Sequence, residues 1–207
     1  MRNARNTIAA IAIASTAGIA SADVFFGDVA GSAEQTGATY SGNLVYEHIA
    51  GSVGELTITL TNDTPASVGG RLTAIVFRFD TVDASAWTSL ISSTISGMTN
   101  TGTVNGAPYG TFKGGAGTGG QFEGGGPASN GLAIGATATF VWKINASDAA
   151  SLNEMSFLNA SNSPGILARF RGLTGGGSDK VPGVIPAPAP IALAGLAGLI
   201  ATRRRRN

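Results

Sequence analysis

The sequence predicts an all-β chain whose body is an antiparallel β-sandwich. Three observations carry that prediction. Several short segments alternate apolar and polar side chains with a period of two, the pattern of a strand with one buried face. Clusters of Gly, Asn, Ser and Pro punctuate them at short intervals, as turns do. No long segment with a 3.6-residue apolar period lies between the two ends of the chain.

The first element is not part of that body. In residues 1–22, Arg2 and Arg5 precede an apolar run over 7–19, and Ala20-Ser21-Ala22 closes it. A basic start, a short apolar stretch and an A-x-A pattern make a secretory signal, with cleavage between Ala22 and Asp23. The run is too short for an ordinary spanning helix. It is expected to form a signal helix that is absent from the exported protein.

The exported domain is predicted over 23–178. Its clearest strands are 55–61, 71–79, 136–144 and 165–172. In the first, Leu56, Ile58 and Leu60 share one face and three Thr the other. In the second, Ile75, Phe77 and Phe79 oppose Val76 and Arg78. In the third, Ala138, Phe140, Trp142 and Ile144 point inward and Thr137, Thr139 and Lys143 outward. In the fourth, Ala168 and Phe170 oppose Arg169 and Arg171. Segments 43–49, 87–95 and 154–158 read as weaker strands, and 147–152 as a capped helical turn. This number of short strands between Gly-rich turns fits a sandwich of the jelly-roll or Ig-like kind. Residues 97–131 contain thirteen Gly in 35 positions and read as long loops around short strands at 109–113 and 121–123.

The C-terminal region has three parts in order. Residues 179–190 form a Pro-rich linker, because Pro lacks the N–H and restricts the residue before it. An apolar run over 191–201 follows, and then the four cations Arg203, Arg204, Arg205 and Arg206. Eleven helical residues reach about 17 Å against a hydrocarbon core of about 30 Å, so this short hydrophobic helix crosses a bilayer only with its flanks. The Arg cluster stops transfer and stays cytoplasmic.

A short Pro motif at Pro186-Ala187-Pro188, an apolar helix and a terminal Arg cluster resemble the PEP-CTERM sorting signal, here over 185–207. Ala187 stands where that family has a central Glu, so the motif is the Pro-Ala-Pro variant. The resemblance implies recognition by exosortase, a membrane-embedded cysteine transpeptidase that cleaves near Pro186–Pro188. It also implies a transient inner-membrane intermediate, followed by a surface-attached or secreted product in a bacterium that makes exopolysaccharide.

Composition narrows the chemistry. The chain has 207 residues, 13 Lys+Arg, 12 Asp+Glu, one His and no Cys. Disulfides, thiolate metal sites and Cys nucleophiles are therefore excluded. All twelve carboxylates and seven of the cations fall within 23–184, giving that body a net charge of −5. Such a balance speaks against nucleic acid as a partner. Gly115 to Gly120 matches G-x-G-x-x-G formally, but the next six residues, Gln-Phe-Glu-Gly-Gly-Gly, do not open the helix that a dinucleotide site requires. His48 has no G-x-S-x-G serine to serve. Asp63 and Asp80–Asp83 lack the spacing of a calcium loop.

The expectation is an exported, non-enzymatic surface or matrix protein with no cofactor, no catalytic residues and no metal site. Signal peptidase and exosortase are its processing enzymes, the membrane a transient contact, and exopolysaccharide or biofilm its surroundings. The competing expectation is a carbohydrate-binding module, with Trp87, between polar neighbours, as the glycan contact.

Overall fold

The computed structural model describes residues 23–160 and 164–186, so the predicted signal helix and hydrophobic C-terminal helix lie outside it. The strands are β1 (Asp23–Gly27), β2 (Ser41–Ala50), β3 (Val53–Thr61), β4 (Gly69–Phe77), β5 (Trp87–Ser93) and β6 (Met98–Asn100). They continue as β7 (Val104–Asn105), β8 (Thr111–Phe112), β9 (Gly114–Thr118), β10 (Thr137–Asn145), β11 (Ile166–Leu173) and β12 (Ser178–Val184). Every strand pair is antiparallel, as the alternating patterns require.

Ten strands form one ribbon in the order β5-β10-β3-β2-β1-β12-β11-β4-β9-β6. The ribbon folds where β1 meets β12, at Phe26 opposite Val184 and Gly27 opposite Gly183. Its two halves then face each other across one core. Leu56, Ile58, Phe140 and Trp142 from the first half meet Ile75, Phe77, Ala168 and Phe170 from the second. Phe77 packs edge-on against Trp142 with ring centres 5.0 Å apart. The far ends of the ribbon also meet. Leu90 N donates to Asn100 Oδ1 at 3.2 Å, Thr88 Oγ1 to the Lys113 carbonyl at 3.2 Å, and Trp142 Nε1 to the Gly115 carbonyl at 3.3 Å. The fold is thus sandwich-like with barrel-like closure, and its edges cover each other.

The second half has a covered back. Ala74 and Val76 of β4 and Leu167 of β11 point away from the main core, yet all are buried. Phe112 and Phe122, from the Gly-rich segment, complete a small second cluster over them, with Val104 and Tyr109 at its rim. That segment is therefore a cap carrying its own strands. Within it β9 pairs with β4 and β6, where the sequence predicts loop. Its sequence, Gly-Gly-Ala-Gly-Thr, is set by close approach: a Cβ at Gly115 would lie 2.3 Å from the Ile75 carbonyl oxygen.

Four other segments differ from what their sequence predicts. Segment 154–158 is a one-turn helix, α1 (Glu154–Leu158), not a strand. Asn153 caps it: its side chain accepts from Ser156 N, and Ser156 Oγ accepts from Asn153 N. Phe157 then stacks on Phe79 and tilts against Tyr46. Segment 121–123 is a turn that delivers Phe122 to the second cluster. At 109–113 only Thr111–Phe112 pairs, with β7. The linker predicted from 179 begins instead after β12, which pairs with β11 over Ser178–Pro182 and with β1 at Gly183 and Val184. Pro182 is tolerated there because its backbone polar edge faces the place where β1 has just ended. Its carbonyl accepts from Asp28 N at 2.8 Å, and the ladder to β11 loses no donor.

Candidate functional site

Among the described residues, no segment covers the outward face of the first half, across β5, β10, β3 and β2, and its side chains are half-buried to exposed. Its outward row on β10 is Thr137, Thr139, Val141 and Lys143, paired in register with Thr61, Thr59, Thr57 and Glu55 of β3. Two hydroxyl pairs cross it, Thr59 to Thr139 at 3.1 Å and Thr61 to Thr137 at 2.9 Å. Trp87 opens β5 at one end of this face, opposite Asn145, and is 47% exposed. The Lys143 ammonium lies 5.4 Å from the centre of its ring. Trp142 points into the core, as its alternation predicts.

Two carboxylates position Trp87. Asp148 Oδ1 accepts from Thr81 Oγ1 at 2.5 Å and its Oδ2 from Val82 N at 3.0 Å. Asp83 Oδ1 accepts from Ser85 N at 2.8 Å and Ser85 Oγ at 2.6 Å, and its Oδ2 from Ser147 N at 2.7 Å. These bonds pin the 78–86 loop to the end of β10. The Ser85 hydroxyl and the Ser147 and Ser85 amides hold the Asp83 carboxyl down at about 2. At Asp148 burial opposes ionisation, but the Thr81 and Val82 bonds outweigh it and keep the carboxyl below its ordinary range. Both groups are occupied by donors within the chain. Asp63 follows β3 at the opposite end of the molecule from Asp80–Asp83. Among the described residues, no three carboxylate or His side chains gather as a metal site.

His48 is exposed near the β2–β3 turn, its Nε2 3.0 Å from the Gly51 carbonyl oxygen. The formal G-x-G-x-x-G lies in β9, beside the ribbon's edge strand β6, and in the turn after it. Asp23 begins β1, opposite Leu44. Pro186 follows β12 at the same end of the sandwich, because Phe26 faces Val184 in antiparallel register. Ala20, Ala22, Ala187, Pro188, Arg203, Arg204, Arg205 and Arg206 lie outside the described residues. Among those described, no helix is long and apolar enough to cross a membrane.

A second polar surface is not apparent from the sequence. On the back of the second half, Arg71 of β4 faces Arg171 of β11, and Arg169 of β11 faces Lys180 of β12. Glu123, from the cap, makes ion pairs with both Arg169 and Lys180, the latter at 2.8 Å. Beside it lies a cleft of about 180 Å³ lined by Glu34, Pro108, Glu123, Arg169, Ser178 and Lys180. Asp179, on the other side of the strand, accepts from Glu34 N, Thr36 N, Thr36 Oγ1 and Lys180 N. The outward alternation of Arg169 and Arg171 was visible in the sequence. Their partners were not, since Lys180 was assigned to a linker and register is set by pairing.

No protein-family model matches this chain, and no curated protein matches it in sequence.

Proposed function

We propose that this chain is an exported, non-enzymatic cell-surface or matrix protein, processed at both ends. Signal peptidase cleaves before Asp23, and exosortase acts at Pro186-Ala187-Pro188 after transient anchoring through the apolar run and the Arg cluster. The mature body is a sandwich of the jelly-roll or Ig-like kind that works among exopolysaccharide. The observation that carries the reading is the three-part C-terminal region, with motif, apolar run and four Arg in order. A structural fact supports it. The first residue of the predicted mature chain and the last strand before the motif emerge side by side at one end. A body held there by either end keeps the rest of its surface clear of the bilayer.

The test is to express the full chain in an exosortase-bearing host and sequence both ends of the surface-localised product. Asp23 at the new N-terminus and loss of Arg203–Arg206 are expected. An intact Arg tail on that product overturns the processing step.

A second reading, a carbohydrate-binding module, is favoured by one observation: Trp87 is half exposed beside a hydroxyl-rich face. Glycan-array binding that Trp87→Ala abolishes would establish it.

A further inference from the structure

Opposed strands place directly facing side chains about 5 Å apart, and like charges there are destabilising. This fold sets two such pairs side by side, Arg71–Arg171 and Arg169–Lys180, on a body whose net charge is −5. Folding alone does not call for that concentration. Glu123 answers Arg169 and Lys180, and Glu34 lines the cleft beyond them. Arg71 and Arg171 have no ion-pair partner among the described residues. One guanidinium nitrogen of each is occupied, Arg71 on the Gly131 carbonyl at 3.3 Å and Arg171 on the Gly126 carbonyl at 3.1 Å. Among the described residues, the two guanidinium groups make no other hydrogen bond or ion pair. Burial, and then the neighbouring Arg171, lower the Arg169 pKa; burial and then Arg169 lower that of Lys180.

We propose that this cationic face binds the carboxylates of an acidic, uronate-bearing polysaccharide, with one carboxylate seated between Arg71 and Arg171. A planar carboxylate suits paired guanidinium forks and relieves their repulsion. Its neighbours along the polymer then reach the Glu123-lined cleft. Screening confines the attraction to about 8 Å at physiological ionic strength, so the acidic remainder of the body does not cancel it. Duplex nucleic acid is disfavoured, because a broad polyanion would also meet the acidic surfaces. This inference names the class of polysaccharide for the matrix-protein reading and rests on it for the ligand's supply.

The experiment titrates the purified full chain with polygalacturonate, with neutral dextran and duplex DNA as comparisons. Saturable binding of polygalacturonate alone is expected, weakening as salt rises. Arg71→Gln with Arg171→Gln should reduce affinity by about tenfold or more while leaving Tm unchanged or raised. Binding that this double variant leaves intact overturns the proposal, as does equal binding of DNA. A fall in Tm without any polygalacturonate binding by the parent chain also overturns it, and makes the two Arg clamps for the cap. Terminal sequencing is a separate readout, so the processing reading fails or stands independently.

Discussion

The two halves of the ribbon solve the same problem differently. In the first half, β10 and β3 alternate strictly: apolar residues enter the core, and Thr pairs satisfy one another on the open face. In the second, β4 is buried from Leu72 to Phe77 on both sides, so its back needs a roof. The Gly-rich cap is that roof, fixed by Phe112 and Phe122 and tied to β11 by the ion pair of Glu123 with Arg169. A half-buried sheet thus needs only its own alternation. A doubly buried one needs a second segment, and here its polar rim gathers the cations.

The comparison is broken most severely at the shared core. Trp142→Ala removes the side chain that packs on Phe77 and Phe140 and bonds to Gly115. It should cost about 4 kcal/mol and unfold both halves together, read as a shifted denaturant midpoint with a single transition. Phe122→Ala acts on the roof alone. A loss of about 3 kcal/mol is expected, with hydrogen-exchange protection lost in β8 and β9 while β2, β3 and β10 keep theirs.

Asp179 sharpens the comparison through pH. It ties β12 to the 34–36 loop. Burial opposes its ionisation, but the Thr36 hydroxyl and the Glu34, Thr36 and Lys180 amides outweigh that and hold its carboxyl below the ordinary range. Its folded pKa is thus below the unfolded value of about 3.9. The stability it supplies is present in full above that value and is lost as pH falls through the folded pKa. Tm should hold near neutrality and drop below about pH 4, and Asp179→Asn should flatten that drop while costing about 2 kcal/mol at pH 7. The smallest effect belongs to the open face. Thr139→Ala removes one hydroxyl pair and should change stability by no more than about 0.5 kcal/mol, measured by the same denaturant midpoint.

The legible part of the fold was the part governed by local period. Strands at 55–61, 71–79, 136–144 and 165–172 were readable because each has one wet face or a clean switch of sides. Trp87 was readable as exposed because polar residues flank it. β9 was not, since a run of Gly carries no periodic signal and becomes a strand only beside Ile75 and Val76. β12 was hidden by Pro182, which is harmful in most central strands and harmless in this register. Residues 154–158 have no clear strand or helix pattern, and the Asn153–Ser156 cap together with the Phe157 pocket selected the helix.

The sequence by itself determined an all-β body, the inward set Phe140, Trp142, Ala168 and Phe170, and the segregation of charge between the ends and the body. Side-chain period and composition are local, so no partner is needed to read them. Only the tertiary structure decided that a Gly-rich stretch roofs a sheet. It alone paired β12 with β1, and it alone brought Arg71, Arg169, Arg171 and Lys180 onto one face. Those outcomes depend on strand register and on closure between residues a hundred positions apart, and no local pattern encodes them.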